Sequence, residues 1–271
     1  MRQARSGAIF VATIAAIVIF FGSAGSAEPP ATKTINAIDL TKPFGARSEW
    51  RFIATQEPDQ PNRDEGPIPG IVTLCLKRTA DRDCDAAMRS MGKAPTSYYD
   101  IAWQPRYLSN ARVVYPMGGS APPLLLTQTA SEYSAGDGEQ VRYTQLLTYR
   151  RSIDRFEAIF THVTFRNNNQ EVRFIGAGPL RGHVVVAEPT ENAPFGYWIT
   201  VNRLAPSYRY QQILRYRSAT GYGDNNPLAV IDSEMPNIQQ RLGLWRPGRP
   251  LPLPAKSCPK PRLVKMELWC S

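Results

Sequence analysis

Two histidines, His162 and His183, are all that 271 residues contain, and this scarcity removes much of the common catalytic machinery. A Ser/His/Asp or Cys/His nucleophile needs an imidazole beside it, whereas His162 lies in an apolar run with Phe156 and Phe160 and reads as a core histidine. No serine sits in a G-x-S-x-G elbow. Cysteine is sparse too: Cys75, Cys84, Cys258 and Cys270 show no paired C-x-x-C spacing, which argues against a zinc site. The glycines from Gly176 to Gly182 lead into a strand-like run, so they form a turn and no phosphate-binding loop. No internal repeat points to a propeller or solenoid. The uncharged run Ala8–Phe21 has roughly fourteen residues, short of the roughly twenty that span a bilayer.

What that run does fit is export. It follows Arg2 and Arg5 and ends in small residues up to Gly25, Ser26 and Ala27, the layout of a secretory signal peptide cleaved after Ala27. No cysteine follows it directly, which disfavours a lipid anchor. Residues 1–27 therefore read as signal peptide, and 28–271 as a single β-rich exported domain, periplasmic or secreted. Such a length buries a full core without help from cross-links. In an oxidising compartment the four cysteines make two disulfides, with three pairings open. Short local loops favour Cys75 with Cys84 and Cys258 with Cys270, each worth about 3 kcal/mol on the chain-entropy model.

Apolar and aromatic runs recur from Leu124 to Leu204 between turn-forming clusters, the pattern of an antiparallel sheet system. Strands are expected at Leu124–Ala130, Tyr143–Arg150, Arg155–Phe165, Glu171–Ile175, His183–Glu188 and Tyr197–Leu204, with a hairpin turn at Arg151–Asp154. In the third of these, Phe156, Ala158, Phe160 and His162 line one face and Ile159, Val163 and Phe165 the other. A strand apolar on both faces belongs in the middle of a stack, so it is placed centrally. Earlier strands are expected at Trp50–Thr55, Ile71–Leu76 and Ala111–Tyr115, with Glu57–Pro69 as a loop. Asp81–Met91 has the acidic start and basic end of a helix, stopped by Gly92. The fold class is mainly β: an antiparallel sandwich or barrel-like sheet system with one or two short helices.

The charge balance is +9, mostly from arginine, and favours anionic partners. Read as a strand, Tyr208–Arg217 places Arg209, Gln211, Ile213, Arg215 and Arg217 on one face, and Tyr208, Tyr210, Gln212, Leu214 and Tyr216 on the other. The first face is an arginine stripe able to meet carboxylates in a row, with Arg209, Arg215 and Arg217 as candidate binding residues. Between Gly221 and Glu234 oxygen-bearing side chains cluster. Asp224, Asn226, Asp232 and Glu234 form a candidate Ca²⁺ set, in a loop that resembles the acidic, Gly-containing turn of calcium-binding propeller repeats over barely a dozen residues. The structural alternative is a polar turn, a buried strand at Leu228–Ile231, and a short helix near Pro236–Leu242 started by Asp232 or Ser233. The segment 246–271 is Pro-rich, pinned by Cys258 and Cys270, and ends in a strand at Arg262–Trp269.

Two function classes remain. One is a non-catalytic binding or inhibitor-type envelope protein that recognises an anionic envelope component or an acidic exported protein; nucleic acid is set aside. The other is a carbohydrate-active hydrolase using carboxylates of the 224–234 loop or Glu188 as acid and base. No cofactor is expected beyond Ca²⁺.

Overall fold

Consecutive buried residues, rather than alternate ones, mark the middle of this protein. Leu124, Leu125 and Leu126 are all buried, as are Leu146 and Leu147 and the whole of Val184–Ala187. A strand buries successive side chains only when both its faces are covered. The computed structural model describes residues 31–61, 66–85, 104–116, 121–132, 140–164, 170–193, 195–218, 226–254 and 258–270. The expected signal peptide lies outside them, and so does residue 86 onward of the expected helix.

Three sheets form in chain order. The first holds β1 (Lys33–Asp39), β2 (Trp50–Gln56) and β3 (Val72–Arg78). The second holds β4 (Tyr107–Val114), β5 (Leu124–Ala130), β6 (Arg142–Arg150) and β7 (Arg155–Thr164). The third holds β8 (Glu171–Phe174), β9 (Val184–Pro189), β10 (Tyr197–Leu204) and β11 (Tyr210–Ser218). Each is an open antiparallel meander of sequential strands, and none closes into a barrel. A ribbon of β12 (Pro261–Val264) and β13 (Glu267–Cys270) completes the strands. The helices are α1 (Thr41–Phe44) and α2 (Val230–Arg241).

Three apolar cores show how these layers stack. Trp50, Phe52 and Leu76 of the first sheet pack on Leu125, Leu147 and Phe156 of the second. Leu124, Leu126 and Leu146, on the opposite face of that second sheet, pack on Val184 and Val186 of the third. The third sheet's other face, through Val185, Ala187, Ile199 and Tyr216, receives Ile231, Met235 and Ile238 of α2, whose spacing of four and three makes one helix face. The order is sheet, sheet, sheet, helix. Alternate residues of β5 and β9 thus belong to different cores, which is why both read as unbroken apolar runs.

Several expectations need correction. Arg155–Phe165 was placed centrally; β7 belongs to the middle layer, but it is the edge strand of its own sheet. A bulge opposite Leu146 and Leu147 makes Ile159 the extra residue, so Phe156 faces the first core while Phe160, expected on the same face, packs against the second. Asp81–Asp85 takes no helical turn; the Cys75–Cys84 bridge and the Asp85 amide bond to the Leu76 carbonyl hold it against β3. The run Leu228–Ile231 was expected as a strand, yet α2 begins at Val230. Pro236 lies inside that helix and offers no N–H to the carbonyl of Asp232. The cysteines pair as Cys75–Cys84 and Cys258–Cys270, and no helix of the described residues is long and apolar enough to cross a membrane.

The hairpin turn between β6 and β7 carries the main polar tie between layers. Asp154 sits at φ 49°, a left-handed conformation that aspartate tolerates. Its Oδ1 accepts bonds from Trp50 Nε1 at 3.0 Å and Tyr149 Oη at 2.6 Å, and its Oδ2 from Ser48 Oγ at 2.5 Å. Burial alone would raise this carboxyl's pKa, but the bonds from Ser48, Tyr149 and Trp50, with the charge of Arg78, outweigh it and hold it at about 2.

Candidate functional site

The third sheet supplies the site because one of its faces outruns its cover. Across the ladder, Trp198 of β10 stands opposite Glu188 of β9 and Arg217 of β11, and Thr200 stands opposite Val186 and Arg215. Val184 and Val186 lie under the second sheet. Farther along the same face the cover ends: His162 Nε2 of β7 lies 3.3 Å from Glu188 Oε1, and Trp198 beyond is 36 % exposed. Here Glu188, Pro189, Thr190, Glu191, Asn192, Trp198, Arg215 and Arg217 line a cleft of about 330 Å³.

Its geometry comes from the strands and one loop. The Arg215 guanidinium carbon lies over the Trp198 ring, 4.6 Å from its centroid, within the range of a cation–π contact. No carboxylate of the described residues lies within ion-pair distance of Arg215. Arg217 donates to the Asn192 carbonyl, which ties Asn192 to the strand. The Thr190 amide donates to the Gly196 carbonyl and the Gly196 amide to Thr190 Oγ1.

The expected stripe of three arginines is therefore split. A bulge opposite Val201 and Asn202 makes Ile213 the extra residue. Before it Tyr210 turns toward the second sheet and meets Phe160 at 5.5 Å; after it Arg215 and Arg217 take that face, while Tyr216 points to α2. Arg209 lies in the turn preceding β11 and donates to the Ala158 carbonyl of β7 at 2.5 Å, capping the open edge of the neighbouring sheet. Tyr208, expected in the strand, occupies that turn at φ 57°.

The oxygen-rich segment takes a different form from the expected ligand loop. Asp224 lies outside the described residues. Asn226 donates to Ser233 Oγ at 3.1 Å and the Leu268 carbonyl at 2.8 Å. Asp232 accepts from Arg173 of β8 at 2.6 Å. Glu234 is 0 % exposed and accepts from Tyr216 Oη at 2.6 Å, from Ser218 Oγ, and from Asn237 Nδ2 at 3.0 Å. Asp232 and Glu234 thus engage opposite ends of the third sheet, and they act as the polar fastening of α2. Burial pushes the Tyr216 hydroxyl's pKa up, and the Glu234 charge pushes it further. Among the described residues no group of three His, Cys, Asp or Glu side chains is placed to hold a metal.

Trp198, Thr190, Glu191 and Asn192 were not anticipated as site residues. One signal was present: along β10, Tyr197, Ile199 and Val201 are apolar while Trp198, Thr200 and Asn202 alternate with them, leaving an indole on the polar face. The chain matches no family model, and comparison with curated proteins and with solved structures finds no match.

Proposed function

We propose that this is an exported, non-catalytic binding protein that recognises an anionic partner through Arg215, Arg217 and Trp198. The observation that carries the reading is the Arg215 guanidinium set 4.6 Å over the exposed Trp198 indole in the wall of the cleft. A guanidinium is a planar donor suited to an oxyanion. Export is supported by the basic start, the short uncharged run and the two disulfides. The partner class is an anionic envelope component or an acidic exported protein.

The hydrolase alternative draws on less. Of its carboxylates, Asp232 is paired with Arg173 and Glu234 is buried beneath α2, which leaves Glu188 as the one described candidate in the cleft. The test is capture of partners from an envelope extract by the oxidised chain at low and moderate salt, beside the Arg215→Gln, Arg217→Gln double variant. The expected result is a partner retained by the wild type, released by salt and not retained by the variant. Equal retention by both proteins would overturn the proposal.

A further inference from the structure

The first and second sheets meet at an apolar end and at a polar end, and the polar end leaves three oxygens unanswered. Asn36 Oδ1 of β1, Thr127 Oγ1 of β5 and Gln145 Oε1 of β6 are buried and have no hydrogen-bond partner among the described residues. Thr127 is 0 % exposed and Gln145 1 %. Register brings the three together. Thr127 and Gln145 stand opposite each other across the ladder, two residues from Leu125 and Leu147, which pack on the first sheet, so they share that face. Asn36 stands opposite Ala54, a member of the same core, so it points back toward them. Two ties set the level: Trp50 Nε1 bonds Asp154, which Tyr149 also bonds, and Gln56 Nε2 bonds the carbonyl of Arg106, whose amide bonds Ala130. Counted along β2, β5 and β6 from those ties, Ala54, Thr127 and Gln145 fall in one row. The Val72 amide bond to the Pro105 carbonyl sets β3 on the β4 side, which leaves β1 over β6.

On the opposite face of the second sheet a buried amide is answered directly, by Gln128 donating to Thr144 Oγ1 at 3.2 Å and to the Val172 carbonyl at 2.9 Å. Here the neighbours are short: Ala54 faces the row, and Ala111 stands opposite Thr127. Sheets stack about 10 Å apart, so two alanines leave room. We infer that this row binds an ordered water molecule that bridges the first and second sheets. It donates to Asn36 Oδ1 and Gln145 Oε1 and accepts from the Thr127 hydroxyl, the usual three bonds of a buried water. All three oxygens are neutral, so a cation in the same place would be buried with its charge uncompensated, a cost that water does not carry. The bridge also fixes register, because sliding β1 by one residue would turn Asn36 to the outer face.

Oxygen-17 magnetic relaxation dispersion of the full oxidised chain counts long-lived internal waters. Thr127→Val is expected to remove one, and Thr127→Ser, which keeps the hydroxyl, to retain it. Equal counts for wild type and Thr127→Val overturn the inference. So does a wild type without any long-lived water, a result that needs no variant to fold. Urea unfolding supplies the sign: Thr127→Val is expected to lower the midpoint, since the water loses its donor. A raised midpoint would mean that the hydroxyl had been buried without any partner, and would overturn the inference as well. Wild-type midpoints in sodium chloride and choline chloride are expected to agree at equal ionic strength. Stabilisation by sodium alone would put a cation in the row and end the case for water.

Discussion

Among the described residues arginine meets tryptophan three times on strands, and two of these pairs are held in opposite ways. Arg78 lies 6.0 Å from the Trp50 ring and Arg215 lies 4.6 Å from the Trp198 ring. Trp50 is 2 % exposed, and its N–H is taken by Asp154. Arg78 is held by Asp81 at 2.8 Å and lies within 3.9 Å of Asp154, so every polar group of that pair is answered within the fold. Trp198 stands at the surface, and Arg215 has the indole as its partner and no described carboxylate. The residue types are the same; the carboxylates around them decide whether the pair fastens two sheets or stands open at the surface.

The sharpest way to break this comparison is to remove each indole. Trp50→Ala is expected to destabilise by about 3–5 kcal/mol, because it empties a core and removes one of the donors to Asp154, whereas Trp198→Ala should stay within about 1 kcal/mol. Denaturant unfolding measures both, and equal losses would erase the distinction. Replacing Cys75 and Cys84 with serine should cost about 3 kcal/mol by the same measurement, since the bridge holds the Asp81–Asp85 segment beside Arg78. Asp154→Asn is expected to lose about 1–3 kcal/mol near neutral pH. Because folding lowers this carboxyl from 3.8 to about 2, its contribution is complete above pH ~4 and disappears as the pH falls through about 2. Melting temperatures of wild type and variant should therefore converge across that interval. The smallest effect belongs to Arg215→Gln, expected within about 0.5 kcal/mol in stability while abolishing retention of the anionic partner.

Local signals in the chain were readable where one layer decides them. Leu124–Ala130 as a strand, the Arg151–Asp154 turn and both short disulfide loops follow from neighbouring residues alone. What alternation could not reveal was the pair of bulges. The extra residue Ile159 put Phe156 and Phe160 in different cores, and the extra residue Ile213 reversed the facing of β11 halfway along. A single inserted residue exchanges every side chain beyond it between faces, so the arginine stripe held from Arg215 to Arg217 and failed at Arg209. The 226–234 segment was illegible for another reason. The partners of its polar side chains, Arg173, Tyr216, Ser218 and the Leu268 carbonyl, are distant in sequence and brought close only by the third sheet and the terminal ribbon. Trp198 escaped attention because one exposed aromatic on an alternating strand is ordinary until its neighbours across the ladder are known.

The stacking of three sequential meanders makes strand pairing local. Each sheet draws on one continuous stretch of chain, so its strands can pair without waiting for distant segments. The middle sheet is the exception to that independence. Once β4 to β7 have paired, Leu125 and Leu147 can settle on the first sheet, but Leu124, Leu126 and Leu146 remain bare until β9 arrives. An intermediate of two layers therefore presents a flat aliphatic surface beside the open edge of β7, the combination from which chains associate wrongly. The bond from Arg209 to the Ala158 carbonyl closes that edge only after the third sheet has docked, so the last meander ends the period of risk as well as completing the cleft.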